Sequence, residues 1–327
     1  MEGVGVSSTF VTGGYGLLGT WLVRALLERR DRVVVLRRDD PSASALRLDG
    51  LEERCEVVPG DVCDGAALER ALGDYEVDTV FHLAAQTLVG TANRSPVPTF
   101  ETNIRGTWML LEACRRMDVG RVVVAASDKA YGDHAQLPYR EDFALQPRFP
   151  YDVSKAATDL IARSYFHTYG LPVAVTRFAN LYGGGDLNFS RLVPEAVAAA
   201  LQGRRPVIRS DGTPERDFLY VQDAASAYLA IAGALADGAA GEAFNAGAGE
   251  PRSVLEVVQL VCAAAGTAVE PDIRGQGVPA GEIDRQFVDP AKLRELTGWE
   301  PKVSLEEGLR RTLEWYRAHP DVLPAGA

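Results

Sequence analysis

Two short stretches of this chain carry side chains whose types and spacing can move protons. The first is Pro150-Tyr151-Asp152-Val153-Ser154-Lys155. Residues four apart share a helix face, so the Lys155 ammonium is expected beside the Tyr151 phenol. A free phenol ionises near pH ~10, and a neighbouring ammonium favours the phenolate, which makes Tyr151 a candidate base. The second stretch is Ser127-Asp128-Lys129, a hydroxyl, a carboxyl and an amine in a row. Ser127 can hold a substrate hydroxyl while Tyr151 removes its proton, and Asp128 and Lys129 add an acid and a base. A Y-x-x-x-K pair alone arises by chance in many chains. It gains meaning from the segment upstream.

That segment is Thr12-Gly13-Gly14-Tyr15-Gly16-Leu17-Leu18-Gly19, set between an apolar strand and an amphipathic helix. Gly13, Gly16 and Gly19 permit a tight turn and close backbone approach around Tyr15 and Leu17. The helix start offers free N–H groups to a pyrophosphate. A nicotinamide dinucleotide is the expected ligand. The second strand ends Leu36-Arg37-Arg38-Asp39, where an acidic residue would suit the ribose 2′-hydroxyl of NAD. Arg37 or Arg38 could instead pair a 2′-phosphate, so NADP is mildly favoured and NAD stays open. Asp61-Val62, after the third strand, is placed at the adenine. Leu83-Ala84-Ala85-Gln86, after the fourth, supplies small residues where backbone must pass close to the cofactor.

The elements that must position these groups alternate along the first half. Apolar runs at 9–12, 33–36, 56–59, 79–83, 121–126 and 173–178 read as strands. Helical periods at 17–28, 66–72, 103–116 and 151–169 separate them. Continuous apolar strands divided by helices imply a parallel sheet covered on both faces, hence an α/β, doubly wound parallel sheet. Beyond residue 180 the alternation weakens, with helices at 192–201, 223–235 and 305–318 and a strand at 218–221. Residues 1–180 are therefore read as the dinucleotide-binding domain. Residues 181–327 are read mainly as a smaller mixed α/β substrate-binding lobe, with about 215–235 returning to the first domain.

Composition narrows the class. The 327 residues are 46% hydrophobic, enough for a sizeable core, and carry a formal charge of −11. No basic run accompanies that charge, so nucleic-acid binding is not expected. No apolar run approaches the ~20 residues of a membrane span, and Met1–Val6 lacks the basic region of a secretory signal. A cytoplasmic protein without a membrane role is expected. Cys55, Cys63, Cys114 and Cys262 lack metal-ligand or disulfide spacing and read as reduced packing thiols. The four histidines also lack metal-type spacing. His82 reads as a structural residue at a strand end, and no metal is expected.

Taken together, these motifs resemble the extended short-chain dehydrogenase/reductase family of nucleotide-sugar enzymes, with a Rossmann fold. The likeness runs through Thr12–Gly19, His82-Leu83-Ala84-Ala85-Gln86, Thr102-Asn103-Ile104-Arg105-Gly106-Thr107 and Tyr151…Lys155. It continues through Arg177–Gly183, Arg216–Asp223 and Gly298-Trp299-Glu300-Pro301. Within the family, Ser127-Asp128-Lys129-Ala130-Tyr131 is most similar to the CDP-glucose 4,6-dehydratases. The resemblance implies that Tyr151 and a tightly bound, recycled NAD(P) oxidise carbon 4 of a nucleotide-linked hexose, with Ser127 holding the hydroxyl and Lys155 assisting. Lys129 would then remove the carbon-5 proton, and Asp128 would protonate the departing carbon-6 hydroxyl. It also implies that Asn103 serves the cofactor, and that Gln86, Asn180, Arg191, Arg216 and Arg285 meet the substrate. A homodimer is implied, through a four-helix bundle formed by the helices at 103–116 and 151–169. A 4-epimerase, or a decarboxylase of a nucleotide-linked uronic acid, would use the same Ser127, Tyr151 and Lys155 but leave Asp128 and Lys129 without acid–base work. A redox-sensing binding protein would have no need of the Tyr151/Lys155 pair.

Overall fold

In a computed structural model of the chain, residues 7–41, 43–277 and 283–325 are described. Met1–Val6, read above for a targeting signal, lies outside them. Six strands follow in chain order: β1 (Ser8–Thr12), β2 (Arg32–Arg37), β3 (Glu56–Pro59), β4 (Thr79–His82), β5 (Arg121–Ala125) and β6 (Val173–Phe178). With a seventh at Ala243–Ala246 they form one sheet, ordered Ala243–Ala246, β6, β5, β4, β1, β2, β3. Every pairing is parallel. The order reverses between β1 and β4, and ligands of such sheets bind in the crevice at that switch point, beyond the carboxyl ends of the strands.

The apolar runs form strands because both faces are covered. Alternate residues point to opposite sides. Val11, Val35, Phe81 and Val123 join Leu22 and Leu26 of the Leu17–Glu28 helix and Tyr228 and Ile231 of the Val221–Gly233 helix. Phe10, Val34, Val80 and Val122 join Leu68, Leu72, Leu110, Leu111 and Cys114 on the other side. A separate core gathers Tyr182, Val197, Phe218, Val257, Val261, Leu309 and Tyr316 from the chain beyond residue 180. The doubly wound sheet expected from the sequence is thus present.

Three departures bear on the site. The seventh strand was not evident in the sequence, and neither was the short strand Asn180–Tyr182, which pairs in parallel with Phe218–Tyr220. The helix expected over 103–116 is an α-helix only at Gly106–Arg116. Pro96–Phe100 precedes it, joined by a π-helical turn at Glu101–Arg105 in which the Gly106 amide donates to the Glu101 carbonyl. The long helix is Pro150–Tyr169, opened by a proline in its first turn and closed by Gly170 at φ 71°. A proline suits a helix start, whose N–H lacks a partner anyway, and glycine suits the left-handed close.

Candidate active site

The turn after β1 is tied to the end of β4 by Thr12. Its hydroxyl accepts from the Leu83 and Ala84 amides, both at 3.2 Å, and lies 2.8 Å from His82 Nδ1. His82 Nε2 in turn lies 3.2 Å from the Thr107 hydroxyl. Burial, reinforced by the Lys155 charge, pushes His82 down to about 3, so its ring is neutral and acts as a brace. These bonds press Leu83 and Ala84 onto the glycine turn. A Cβ on Gly13, at φ +75°, would sit 2.7 Å from the Ala84 nitrogen, and one on Gly19 would sit 2.1 Å from the Gly13 carbonyl oxygen. Gly16 differs. A Cβ there would meet only the Gly13 oxygen, at 3.4 Å, so the space beside it is open to a ligand. Gly16 also precedes the Leu17–Glu28 helix as its N-cap, so no side chain there caps the first amides. This cradle fits a dinucleotide pyrophosphate.

Around the cradle the remaining candidates take varied positions. Tyr15 donates its hydroxyl to Glu52, and Arg37 stands 3.6 Å from the same carboxylate. Arg38 is exposed and pairs with its neighbour Asp39 at 2.6 Å. Asp61 accepts from the Cys63 amide at 2.8 Å and shapes the turn after β3, while Val62 is buried against Gly106. The Gln86 amide group bonds to the backbone of Leu88 and to the Thr99 hydroxyl. Asn103, buried in the π turn, accepts from the Gln86 N–H at 2.8 Å and donates to the Gln86 carbonyl at 3.0 Å and to Ser154 at 2.9 Å. Its amide therefore joins the segment after Ala85 to the helix that carries Tyr151.

At the other end of the cleft, Ser127 caps a turn at Asp128–Tyr131, accepting from the Lys129 amide at 3.2 Å and donating to Asp128 at 3.1 Å. Asp128 is buried. Burial raises its pKa, opposed by the charge of Lys129, the Ser127 hydroxyl and the charge of Arg216. A carboxyl in that setting suits an acid role. Lys155 is buried too and donates to the Ala125 carbonyl at the end of β5, at 2.7 Å, and burial brings it down to about 8.

The Tyr151 phenol does not follow the sequence expectation. Burial pushes it up to about 12, with the Arg191 charge and the Ser127 hydroxyl opposing that rise and Asp128 adding to it. The helical spacing does put Lys155 on the expected helix, but its ammonium is held by the β5 carbonyl, and desolvation of the phenol outweighs the opposing charges. Two carboxyls that the sequence reading missed also line this region. Burial raises Asp152 to about 6, with Lys129 opposing and Asp128 adding to the rise. Asp217 is also raised to about 6 by burial, although it accepts from the Ala248 and Gly249 amides at 3.0 and 3.2 Å.

The substrate candidates divide. Arg216 is buried, donates to the Glu215 and Asp284 carbonyls at 2.8 and 2.9 Å, and acts electrostatically on Asp128. The Asn180 amide donates to the Asp217 carbonyl at 3.1 Å, which joins the strand after β6 to the one beginning at Phe218. Arg191 pairs with Asp186 at 3.0 Å and donates to the Thr87 hydroxyl at 2.9 Å, bridging to the loop after β4. Arg285 is mostly in solvent and pairs with Glu215 at 2.7 Å.

A buried network behind the reactive turn had no local sequence signal, since its members lie far apart along the chain. Arg177 donates to both Asp159 oxygens, at 2.7 and 3.0 Å, and to the Tyr131 hydroxyl at 3.0 Å. Tyr131 donates to Asn245 at 2.8 Å, and Asn245 donates to the Tyr139 carbonyl at 2.9 Å. The far end of the turn that carries Asp128 and Lys129 is thereby anchored to the long helix, β6 and the edge strand.

Residues 10–312 match the family model described as GDP-mannose 4,6 dehydratase. The chain belongs to that dehydratase family. A dTDP-glucose 4,6-dehydratase of Xanthomonas campestris pv. campestris is 34% identical over 331 residues, covering 95% of this chain and 93% of that protein. The Neisseria gonorrhoeae dTDP-glucose 4,6-dehydratase is 34% identical and covers 97% of each. Among solved structures, the dTDP-glucose 4,6-dehydratase DesIV of Streptomyces venezuelae, with NAD and TYD bound, gives a TM-score of 0.86 at 32% identity, covering 96% of this chain and 98% of that one. The UDP-glucose 4-epimerase of Thermotoga maritima gives 0.88 at 31%, covering 96% and 99%. As a member of the dehydratase family, the chain bears out the nucleotide-sugar branch of extended short-chain dehydrogenase/reductases read from its motifs.

Proposed function

We propose that the protein is a nucleotide-sugar 4,6-dehydratase acting on a CDP- or dTDP-glucose-like substrate. The observation that carries this reading is the buried Asp128, bonded to the Ser127 hydroxyl and neighboured by the Lys129 charge at the reactive end of the cleft. Oxidation at carbon 4 needs only Tyr151, Ser127 and Lys155. Loss of water across carbons 5 and 6 needs an acid and a base as well. The likeness of the chain to dTDP-glucose 4,6-dehydratases supports the same reaction.

In this mechanism Ser127 orients the 4-hydroxyl and Tyr151 takes its proton. Nicotinamide dinucleotide would be held at the turn of Gly13, Gly16 and Gly19 and would supply the hydride chemistry between carbons 4 and 6. The 4-keto group acidifies the carbon-5 proton, and Lys129 takes it in its neutral amine form. Asp128, whose pKa is raised by burial, gives its proton to the carbon-6 hydroxyl, which leaves as water. As carbon 6 is reduced, Lys129 returns its proton to carbon 5, and the proton taken by Tyr151 makes good the one given by Asp128 through solvent. The product is thus a 4-keto-6-deoxy sugar with no net oxidant consumed. Burial pushes the Tyr151 phenol up to about 12, and an oxidised nicotinamide would supply positive charge that favours its phenolate.

NADP is proposed over NAD because the Arg37 side chain makes no hydrogen bond among the described residues, only ion pairs at 3.6 and 3.9 Å, and ends β2, the strand whose tip meets the ribose in sheets of this topology. Asn180, Arg191 and Arg216 are proposed for the substrate, with Arg285 the weakest placed of the set. A homodimer is proposed because Trp108 and Leu160 stay 41% and 59% exposed on the two helices expected to form its bundle, with Val97 65% exposed on the short helix that precedes them. Leu160→Glu is expected to halve the mass seen by light scattering; an unchanged mass would remove that interface. A cytoplasmic location is proposed, and no described helix is long and apolar enough to cross a membrane.

The deciding experiment incubates the protein with CDP-glucose, dTDP-glucose and GDP-mannose and follows the alkaline absorbance of a 4-keto sugar. A 4-epimerase, which the Thermotoga maritima likeness keeps in view, would return an epimer without that chromophore. No 4-keto product from any of the three would overturn the dehydratase reading.

A further inference from the structure

At the adenosine end of the cleft, one carboxylate gathers more donors than its own fold requires. Glu52 follows the short helix Ala45–Leu48 and accepts from the Tyr15 hydroxyl, from Arg47 Nε at 2.7 Å and from Arg47 Nη2 at 3.2 Å. Arg47 is fully engaged, since it also donates to the Pro41 carbonyl at 2.7 Å and pairs with Asp40. Arg37 is not. Its guanidinium stands 3.6 Å from Glu52 and 3.9 Å from Asp40, with no hydrogen bond to either. The two carboxylates are unequal counter-charges: the Asp40 side chain is 76% exposed and screened by water, whereas that of Glu52 is 20% exposed. Hydrogen bonds from Arg47 hold Glu52 below the usual carboxylate range, so it is ionised at working pH.

Arg37 ends β2, the strand whose tip meets the adenosine ribose in sheets of this topology. A 2′-phosphate there would bring a charge of about −1.5 to −2 and three acceptor oxygens to Arg37. It would also stand against the fixed charge of Glu52. A 2′-hydroxyl meets no such repulsion and can use Glu52 as acceptor. We propose that Glu52 sets the discrimination between a ribose 2′-hydroxyl and a 2′-phosphate in this protein, by neutralising the Arg37 and Arg47 guanidinium pair. The inference rests on the dinucleotide reading of the cleft and is independent of the dehydration chemistry. It holds whichever of NAD and NADP the unaltered protein prefers.

Adenosine 5′-monophosphate and adenosine 2′,5′-bisphosphate, titrated calorimetrically into the full chain stripped of bound nucleotide, isolate this end of the site. Glu52→Gln preserves the shape and an acceptor for Tyr15 and Arg47 while removing the charge. The bisphosphate is expected to gain about tenfold over the monophosphate in that variant, the scale of one guanidinium–phosphate attraction no longer neutralised near a protein surface. Adding Arg37→Ala to Glu52→Gln should abolish the gain, which a purely structural role of Glu52 would not predict. A preference ratio that stays within about twofold in a folded Glu52→Gln protein, or a gain that survives loss of Arg37, overturns the proposal. If the folded parent chain binds neither nucleotide, the dinucleotide reading falls together with it. Failure to turn over any nucleotide sugar leaves the ratio measurable and bears on the dehydratase reading alone.

Discussion

Asp159→Asn removes a charge from a place that water cannot reach. The side chains of Arg177 and Asp159 are 1% and 0% exposed, and both carboxylate oxygens accept from the guanidinium. Asparagine keeps the shape and one acceptor oxygen, so Arg177 retains that bond together with the Tyr131 hydroxyl and the Glu141 carbonyl. Its charge then loses its hydrogen-bonded counter-ion in a desolvated site. Breaking one side of such a pair costs about 3–5 kcal/mol, and the retained acceptor puts Asn at about 3, with Asp159→Ala near about 5. Against a total stability of about 5–15 kcal/mol, that is a large fraction. Urea unfolding should show a lowered midpoint with an unchanged slope. Because Arg177 also holds Tyr131 at the end of the Asp128–Tyr131 turn, kcat should fall more than KM rises. A loss below about 1 kcal/mol with kcat intact would refute both the energetic argument and the anchoring role.

Asp128→Asn can keep its bond to Ser127 but has no carboxyl proton to give. Formation of the 4-keto-6-deoxy product should fall by about 10²–10⁴, while sugar-dependent reduction of the bound cofactor persists in stopped-flow absorbance; equal loss of both steps would assign Asp128 to the oxidation instead. Gly16→Ala should leave unfolding unchanged and weaken dinucleotide binding, because the added Cβ meets only one atom, at 3.4 Å. Gly19→Ala should destabilise the fold itself, with its Cβ 2.1 Å from the Gly13 oxygen, and calorimetry beside thermal unfolding separates the two. Asp152, raised from 3.8 to about 6 in the fold, adds stability that is full below the lower value and lost as pH rises through the upper one. Asp152→Asn should therefore exceed the parent in stability by about 2–3 kcal/mol in mildly alkaline buffer and match it near pH ~4, and a gap independent of pH would rule out the buried carboxyl as its source.

What could be read beforehand was whatever repeats locally. Val33-Val34-Val35 and Val122-Val123-Val124 announce strands covered on both sides, and the glycines between β1 and its helix announce a backbone that something must approach. The edge strand Ala243–Ala246 has four residues, two of them alanine, and becomes a strand only because β6 offers Val175 and Phe178 to pair with it. The spacing of Tyr151 and Lys155 gave the shared helix correctly. It could not give the carbonyl of Ala125, which comes from β5 and takes the ammonium. Nor could it give the burial that raises the phenol, since desolvation depends on what the rest of the chain packs around it. Asn103 stood inside a recognisable motif, yet its three partnerships reach Gln86 and Ser154, brought near only by the packed helices.

The π turn at Glu101–Arg105 sets the phase of everything that follows it. It accommodates about one residue more than an α-helical turn, so deleting any one of its five residues would let the backbone run on as continuous α-helix. Each residue of an α-helix turns through about 100°, and Gly106–Arg116 would then rotate by that amount against Pro96–Phe100. Leu110, Leu111 and Cys114 would leave the core, and Trp108 would swing off its exposed face. Asn103 would lose its aim at Gln86 and Ser154. A change in length here is therefore a different kind of event from a change of residue. Point substitutions in the segment can be absorbed one contact at a time, whereas a single-residue deletion would mis-set the core, the exposed apolar face and the cofactor loop together.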